Sequence, residues 1–261
     1  VTATYLFNSD GLEVLARYVA PDTLFAFDLD GTLAPIVEDY TAVRVTSPIR
    51  ATLTRLVNLA KVAVITGRSR KDAEKILGFE PHLLIGNHGA EWPFDLSWQN
   101  SYLAETCLKW SEGLHVMLDD VQGVEIEFKG ASLSLHYRKA VNQEYALAQI
   151  DTAIGKLCPM PRTIAGKLVV NVLPMEVATK GVALVAAMKE LKLHRAIFIG
   201  DDVTDEEVFQ LKNIDVFGIH VGKDNNTAAK YYLKKQSALL GLINSMVGIL
   251  ESYSVYKSAI K

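Results

Sequence analysis

Two clusters of acidic residues follow apolar runs in this chain. The first is Asp28-Leu29-Asp30-Gly31-Thr32, which closes the run that starts at Thr23. Carboxylates at alternate positions share one face of an extended strand, and Gly31 permits a sharp turn straight afterwards. Two acids this close repel each other, and a hard cation or a shared proton relieves them. The plainer alternative is an Asx-type turn at a strand end. The second cluster, Gly200-Asp201-Asp202-Val203-Thr204-Asp205-Glu206, follows the run from Ala196. Thr204 or Asp205 could cap the next helix, which accounts for one acid and not for three. Acids at two strand ends suit Mg²⁺, which takes one or two carboxylates and keeps open positions for water and phosphate. Thr66-Gly67-Arg68 ends a third apolar run, where a hydroxyl and free backbone N–H groups before a helix can cradle a phosphate. Lys180 stands just inside a helical pattern that begins near Thr179; a lone lysine there is ordinarily solvated surface, and only the other three motifs give it interest.

The elements that must position these residues can be read from the pattern. Thr23 to Asp28, Val62 to Thr66, Leu83 to Gly86 and Ala196 to Gly200 are almost continuously apolar, as strands buried on both faces of a parallel sheet are. Helical spacing follows over Ser47 to Ala60, where Ser47 reads as the cap and Pro48 as the first helical residue. Ser69 to Leu77, Thr179 to Leu191, Thr204 to Leu211 and Thr227 to Leu233 also read as helices. This alternation predicts an open α/β sheet, whose ligand edge lies at the C-terminal ends of the strands. The middle differs. Val124 to Phe128 and Ser132 to Tyr137 alternate around a Lys129-Gly130 turn, predicting an antiparallel hairpin with one wet face. A helix over Gln143 to Leu157 and a strand over Lys167 to Leu173 follow. The expected division is therefore an α/β core of residues 1–109 and 176–261, with a small α+β domain, 110–175, inserted between its halves.

The bulk composition excludes several classes. The chain has 261 residues, 49% hydrophobic and 22% charged, with 27 basic and 30 acidic side chains and a net charge of −3. Those values fit an ordinary globular chain of roughly one or two domains and not a disordered, collagen-like or polybasic nucleic-acid-binding one. Cys107 and Cys158 follow no metal or redox spacing, which suggests a reduced, intracellular setting. Val1 to Arg17 mixes Asn8, Asp10 and Glu13 into an amphipathic pattern, unlike a targeting leader. Ala238 to Leu250, interrupted by Asn244 and Ser245, falls short of the ~20 residues of a membrane span. A cytoplasmic protein is expected, with no membrane or nucleic-acid partner.

Taken in order, DxDGT, TGR, a lysine and GDDxTDE, each at a strand end or helix start, resemble the haloacid dehalogenase superfamily of phosphatases. The resemblance runs from about Leu24 to Gly89 and from Thr179 to Gly222, and the inserted α+β unit resembles that superfamily's C2-type cap beside a Rossmann-like core. It implies that Asp28 is the nucleophile, forming an aspartyl-phosphate, and Asp30 the general acid and then base. It also implies Mg²⁺ on Asp28, Asp201 and the Asp30 carbonyl, phosphate held by Thr66 and Lys180 beside Gly67 and Arg68, and Asp202 and Asp205 as supporting groups or weaker ligands.

Further motifs narrow the family. Asn87-His88-Gly89-Ala90-Glu91 resembles the HGAE signature of trehalose-6-phosphate phosphatases. Glu127-Phe128-Lys129-Gly130 with His136-Tyr137-Arg138 is similar to that family's ExKG and HYR patterns, and Gly166-Lys167 onward to its GKxxxE pattern. The resemblance implies a disaccharide phosphate, trehalose 6-phosphate, held by Asn87, His88, Glu127, Lys129, Arg138, Lys167 and residue 171. Charged and amide side chains on a strand platform suit many sugar hydroxyls, although alternation alone would also give a merely solvated face. Asn171 departs from the pattern, because the family usually has Glu there. The alternatives are another sugar phosphate, such as sucrose 6-phosphate or mannosyl-3-phosphoglycerate, and a non-catalytic sugar-phosphate-binding regulator; an intact Asp28, Asp30, Lys180 and Asp201 argue against the latter.

Overall fold

In chain order the elements are β1 (Thr4–Tyr5), α1 (Ser9–Tyr18), β2 (Thr23–Phe27), α2 (Ser47–Leu59), β3 (Lys61–Ile65), α3 (Arg70–Leu77), β4 (Leu83–Ile85), α4 (Ser97–Met117), β5 (Glu125–Phe128), β6 (Leu133–His136), α5 (Gln143–Ile154), β7 (Arg162–Gly166), β8 (Val169–Leu173), α6 (Lys180–Glu190), β9 (Arg195–Gly200), α7 (Glu206–Phe209), β10 (Asp215–Val221), β11 (Tyr231–Leu233) and α8 (Leu239–Ala259). They come from a computed structural model that describes residues 3–37, 42–93, 97–166 and 168–259.

The chain forms two compact units, residues 1–89 with 178–261, and residues 90–177. The first unit carries a seven-stranded sheet in the order β1-β11-β10-β9-β2-β3-β4, with every pair parallel. β2 is buried throughout, and β3 and β9 beyond their first residues, because side chains on both faces are covered. On one face Phe25, Phe27, Val62, Val64, Ile197 and Ile199 join Leu15, Leu53, Leu56 and the α8 residues Leu242, Ile243 and Met246 in one apolar core. The alternate residues Leu24, Ala26, Ala63, Ile65, Ala196 and Phe198 are equally buried, with α6 against β3 and α7 against β10. Because β2 pairs with β9, the two acidic clusters leave the sheet side by side.

The second unit is an antiparallel sheet, β5-β6-β8-β7, with α4 and α5. Leu133, Leu135, Val170 and Val172 turn inward onto Trp110, Leu114, Ile150 and Ala153. Glu127, Ser134 and Asn171 pair across the other face in one row.

Four expectations need correction. The chain divides after Gly89 and not near residue 109, because Cys107, Trp110 and Leu114 of α4 bury in the second unit's core. The helix over residues 47–59 is preceded by Thr46 at the cap position and starts at Ser47, with Pro48 in its first turn. Thr227 to Leu233 is not a helix: Thr227 binds Glu206, and Tyr231–Leu233 pairs with β10, so a free sheet edge outcompetes local spacing. Thr204 to Leu211 shortens to a 3₁₀ turn and the four residues of α7. No helix among the described residues is long and apolar enough to cross a membrane.

Candidate active site

The site begins where β2 stops. Asp28 continues the ladder through its N–H to the Ile199 carbonyl (2.9 Å), and its side chain is buried. The backbone then turns at Gly31, with φ +82°, and the Gly31 N–H to Ala34 carbonyl bond (2.8 Å) closes the loop. A Cβ at Gly31 would lie 1.9 Å from Asp201 Oδ2, so glycine is required both for conformation and for room. Thr32 Oγ1 donates to Asp201 Oδ1 at 3.0 Å, which aims Asp201 toward the DxDGT loop.

Lys180 is the first residue of α6, whose cap is Thr179. Its side chain is only 2% exposed, and Nζ donates to Asp28 Oδ1 and Asp205 Oδ1, both at 2.8 Å. A buried ammonium needs such partners, because an unpaired one would neutralise. Burial pulls its pKa down, but Asp205 and Asp28 outweigh burial and hold the lysine above its usual range. Burial raises Asp28 well above the ordinary carboxylate range, and Asp205 and Asp201 add to this, against the pull of Lys180. Asp201 is pushed up to about 7, by burial first and then by Asp205.

The other acids of the second cluster have structural duties. Asp205 Oδ2 accepts from the N–H groups of Asp201 (2.9 Å) and Asp202 (3.0 Å), and Asp202 caps the following turn through the Val203 N–H (2.7 Å). Glu206 accepts from Thr227 Oγ1 and the Ala228 N–H, and Glu207 from the Lys180 N–H. Oxygens of Asp28, Asp201 and Asp205 lie within 4.8 Å of one another. With Asp205 committed to Lys180 and two amides, Asp28 and Asp201 are the pair that face each other as hard, mutually repelling oxygen donors. That donor set fits a divalent cation.

The Thr66-Gly67-Arg68 stretch follows β3. Thr66 is buried, and its hydroxyl accepts from the Arg68 N–H at 3.2 Å. The Arg68 side chain is placed on Asp30: Nε reaches Oδ2 and Nη2 reaches Oδ1, both at 2.7 Å. In this structure the Arg68 guanidinium thus forms a fork on the Asp30 carboxylate. Asn87 and His88 have φ of +46° and +57°, and their N–H groups bind the carbonyls of Arg68 (2.8 Å) and Thr66 (2.9 Å). A Cβ on Gly67 would lie 2.5 Å from the His88 ring, so the loops after β3 and β4 pack ring on backbone.

In the second unit Glu127 Oε2 is 3.0 Å from His136 Nε2 and 3.5 Å from Lys129 Nζ. Partial burial would raise Glu127, but the His136 hydrogen bond and Lys129 win and hold it low. Ser134 Oγ donates to Asn171 Oδ1 at 2.6 Å. Arg138 is exposed, two residues past the end of β6, and Lys167 lies outside the described residues. The partners Ser134 and Glu207 were missed from sequence, and Thr32 and His136 entered only as members of motifs without a role. His136 and Ser134 carried a signal, since both lie on the wet face of the expected hairpin.

A parallel sheet in this order, with acids leaving β2 and β9 together, is the haloacid dehalogenase fold. A solved structure described as a trehalose-6-phosphate phosphatase related protein has that fold too, with a TM-score of 0.73 at 21% identity, covering 88% of this chain and 100% of that one. The sequence narrows the class. The trehalose-phosphatase family model matches residues 26–237. The trehalose-6-phosphate phosphatase of Escherichia coli (strain K12) is 34% identical over 208 residues, 77% of this chain and 76% of that protein. A probable trehalose-phosphate phosphatase of Sinorhizobium fredii is also 34% identical, over 213 residues and 79% of each chain. The chain belongs to the trehalose-phosphatase family of phosphoric monoester hydrolases. It spans about half the length of the mycobacterial relatives that it also matches.

Proposed function

We propose that this chain hydrolyses trehalose 6-phosphate to trehalose and phosphate, with Mg²⁺ bound and in a cytoplasmic setting. The observation that carries the reading is the buried Lys180–Asp28 pair beside Asp201. A carboxylate kept out of water and oriented by a lysine suits a nucleophile. In this reading Asp28 attacks phosphorus, and the bond to the sugar oxygen breaks as Asp30 gives that oxygen a proton. Water then attacks the aspartyl-phosphate while Asp30 takes its proton, and Asp28 is released. Asp28, Asp201 and the Asp30 carbonyl would hold the cation, whose charge offsets that on the transferring phosphoryl group. Lys180 and Thr66 would engage the phosphate oxygens, with Asp202 and Asp205 supporting from behind.

Residues 90–177 are read as the specificity domain. Glu127, Lys129 and Asn171, clustered on one sheet face, offer the charge-assisted and amide hydrogen bonds that a disaccharide's hydroxyls call for, with Arg138 and Lys167 as further sugar contacts. The test is phosphate release from a panel of sugar phosphates with and without Mg²⁺. Preference for sucrose 6-phosphate would replace the substrate, and no release from any member would leave a binding protein.

A further inference from the structure

Asp30 stands just after the end of β2 with its side chain 37% exposed, so packing alone does not fix its carboxylate. Arg68 does. Two donors of one planar guanidinium reach both Asp30 oxygens at 2.7 Å, a bidentate geometry that sets the plane of the carboxylate as well as its distance. The arginine is itself anchored on both sides of its backbone, by its N–H to Thr66 Oγ1 and by its carbonyl from the Asn87 N–H. A carboxylate offers about four lone-pair sites, so the fork takes two and leaves others to exchange a proton. We propose that Arg68 is a positioning residue that holds Asp30 in line for proton transfer to the leaving oxygen and from the attacking water, and does not itself hold the substrate's phosphate.

This inference rests on the phosphatase reading above, but it makes its own kinetic demand. A proton matters for a sugar leaving group and hardly at all for dinitrophenolate. In the first displacement the Asp28–phosphorus bond forms, the phosphorus–leaving oxygen bond breaks, and the Asp30 proton passes to that oxygen. In the second, water attacks phosphorus, its proton passes to Asp30, and the Asp28–phosphorus bond breaks. Misplacing the acid by about 1 Å should cost about 100-fold in kcat/KM on a sugar phosphate.

The test compares Arg68→Ala, Arg68→Lys and Asp30→Asn with the wild type on trehalose 6-phosphate and on 2,4-dinitrophenyl phosphate, in the presence of Mg²⁺. Arg68→Ala should lose about 100-fold in kcat/KM on the sugar phosphate and less than about threefold on the aryl ester. With the aryl ester the variant should show a burst of dinitrophenolate equal to the enzyme, then slow turnover, because the second step also needs Asp30. Inhibition by inorganic phosphate should be unchanged. Arg68→Lys should recover little, since an ammonium lacks the fork, and added guanidinium should restore part of the Arg68→Ala loss. Combining Arg68→Ala with Asp30→Asn should add nothing to Asp30→Asn alone. Equal losses on both esters with weakened phosphate inhibition would make Arg68 a phosphate ligand and overturn the inference, as would multiplying losses in the double variant. Should Arg68→Ala fail to fold, Arg68→Lys carries the same comparison. A wild type inactive on both esters would remove the phosphatase reading as well, whereas an active wild type with no dependence on leaving group sinks only this inference.

Discussion

Asp201 offers a test in which the sign and size of an effect follow from its surroundings. Its half-buried carboxyl beside Asp205 is pushed up to about 7 from an ordinary value of 3.8. The native, metal-free protein therefore keeps a proton on Asp201 between about pH 4 and 7 where the unfolded chain has lost it. The proton-bound native state is favoured, so this contribution to stability is fully present below about pH 4 and is lost as pH rises through 7. The window corresponds to about 4 kcal/mol, or about 10 °C in Tm at this chain length. The measurement is thermal unfolding in EDTA from pH 4 to 8 for the wild type and Asp201→Asn. Asp28, raised in part by Asp201 itself, titrates in both proteins, so the difference between the curves reports Asp201 together with its effect on Asp28. The wild type should fall relative to the variant as pH rises. With Mg²⁺ the slope should reverse, because the ion needs the ionised carboxylate; its apparent affinity should weaken about tenfold per pH unit below 7. Parallel curves in EDTA would refute the reasoning, since burial and repulsion would then not be holding a proton on Asp201.

Asp28→Asn should leave the fold nearly intact and reduce kcat at least 1,000-fold, on the order of what nucleophile removal costs; a tenth of wild-type kcat would exclude Asp28 as nucleophile. Gly31→Ala should lose about 1–2 kcal/mol from its left-handed backbone alone and displace Asp201, raising the Mg²⁺ concentration needed for half-maximal rate; an unchanged requirement would contradict the 1.9 Å approach. Lys129→Ala should cost about 1.5–3 kcal/mol in kcat/KM on trehalose 6-phosphate and little on a small aryl phosphate. Equal losses on both esters would mean that Lys129 does not read the sugar. Asn171→Glu keeps an acceptor for the Ser134 hydroxyl, and activity on trehalose 6-phosphate should hold or rise; a specific loss on that ester would show that the amide is needed.

Much of the molecule was legible one residue at a time. Apolar runs such as those within Thr23–Phe27 and Arg195–Gly200 suit buried strands, and the residues that break them, Asp28 and Asp201, then lie at strand ends. Gly31 could be read as a turn and Thr179 as a helix start because both are statements about local backbone geometry. The order of acids, hydroxyl and lysine along the chain was enough to suggest the phosphatase class.

What only the tertiary structure decided is which of these groups meet. The seven acids and the basic residues gathered near the strand ends are alike in sequence, and nothing local says that Asp205 serves Lys180 and two amides, Glu206 a distant threonine, and Asp201 the face opposite Asp28. The Arg68 fork depends on β3 lying beside β2, so its target was invisible from Thr66-Gly67-Arg68 alone. Tyr231–Leu233 became a strand because β10 offered an unpaired edge, and α4 joined the second unit because Trp110 and Leu114 found a core there. Local pattern fixes which groups a backbone can present and in what conformation. Sheet order and burial, which bring Thr32 to Asp201 across 169 positions of chain, determine which charges must neutralise one another, because a charge taken out of water needs a partner wherever the chain supplies one.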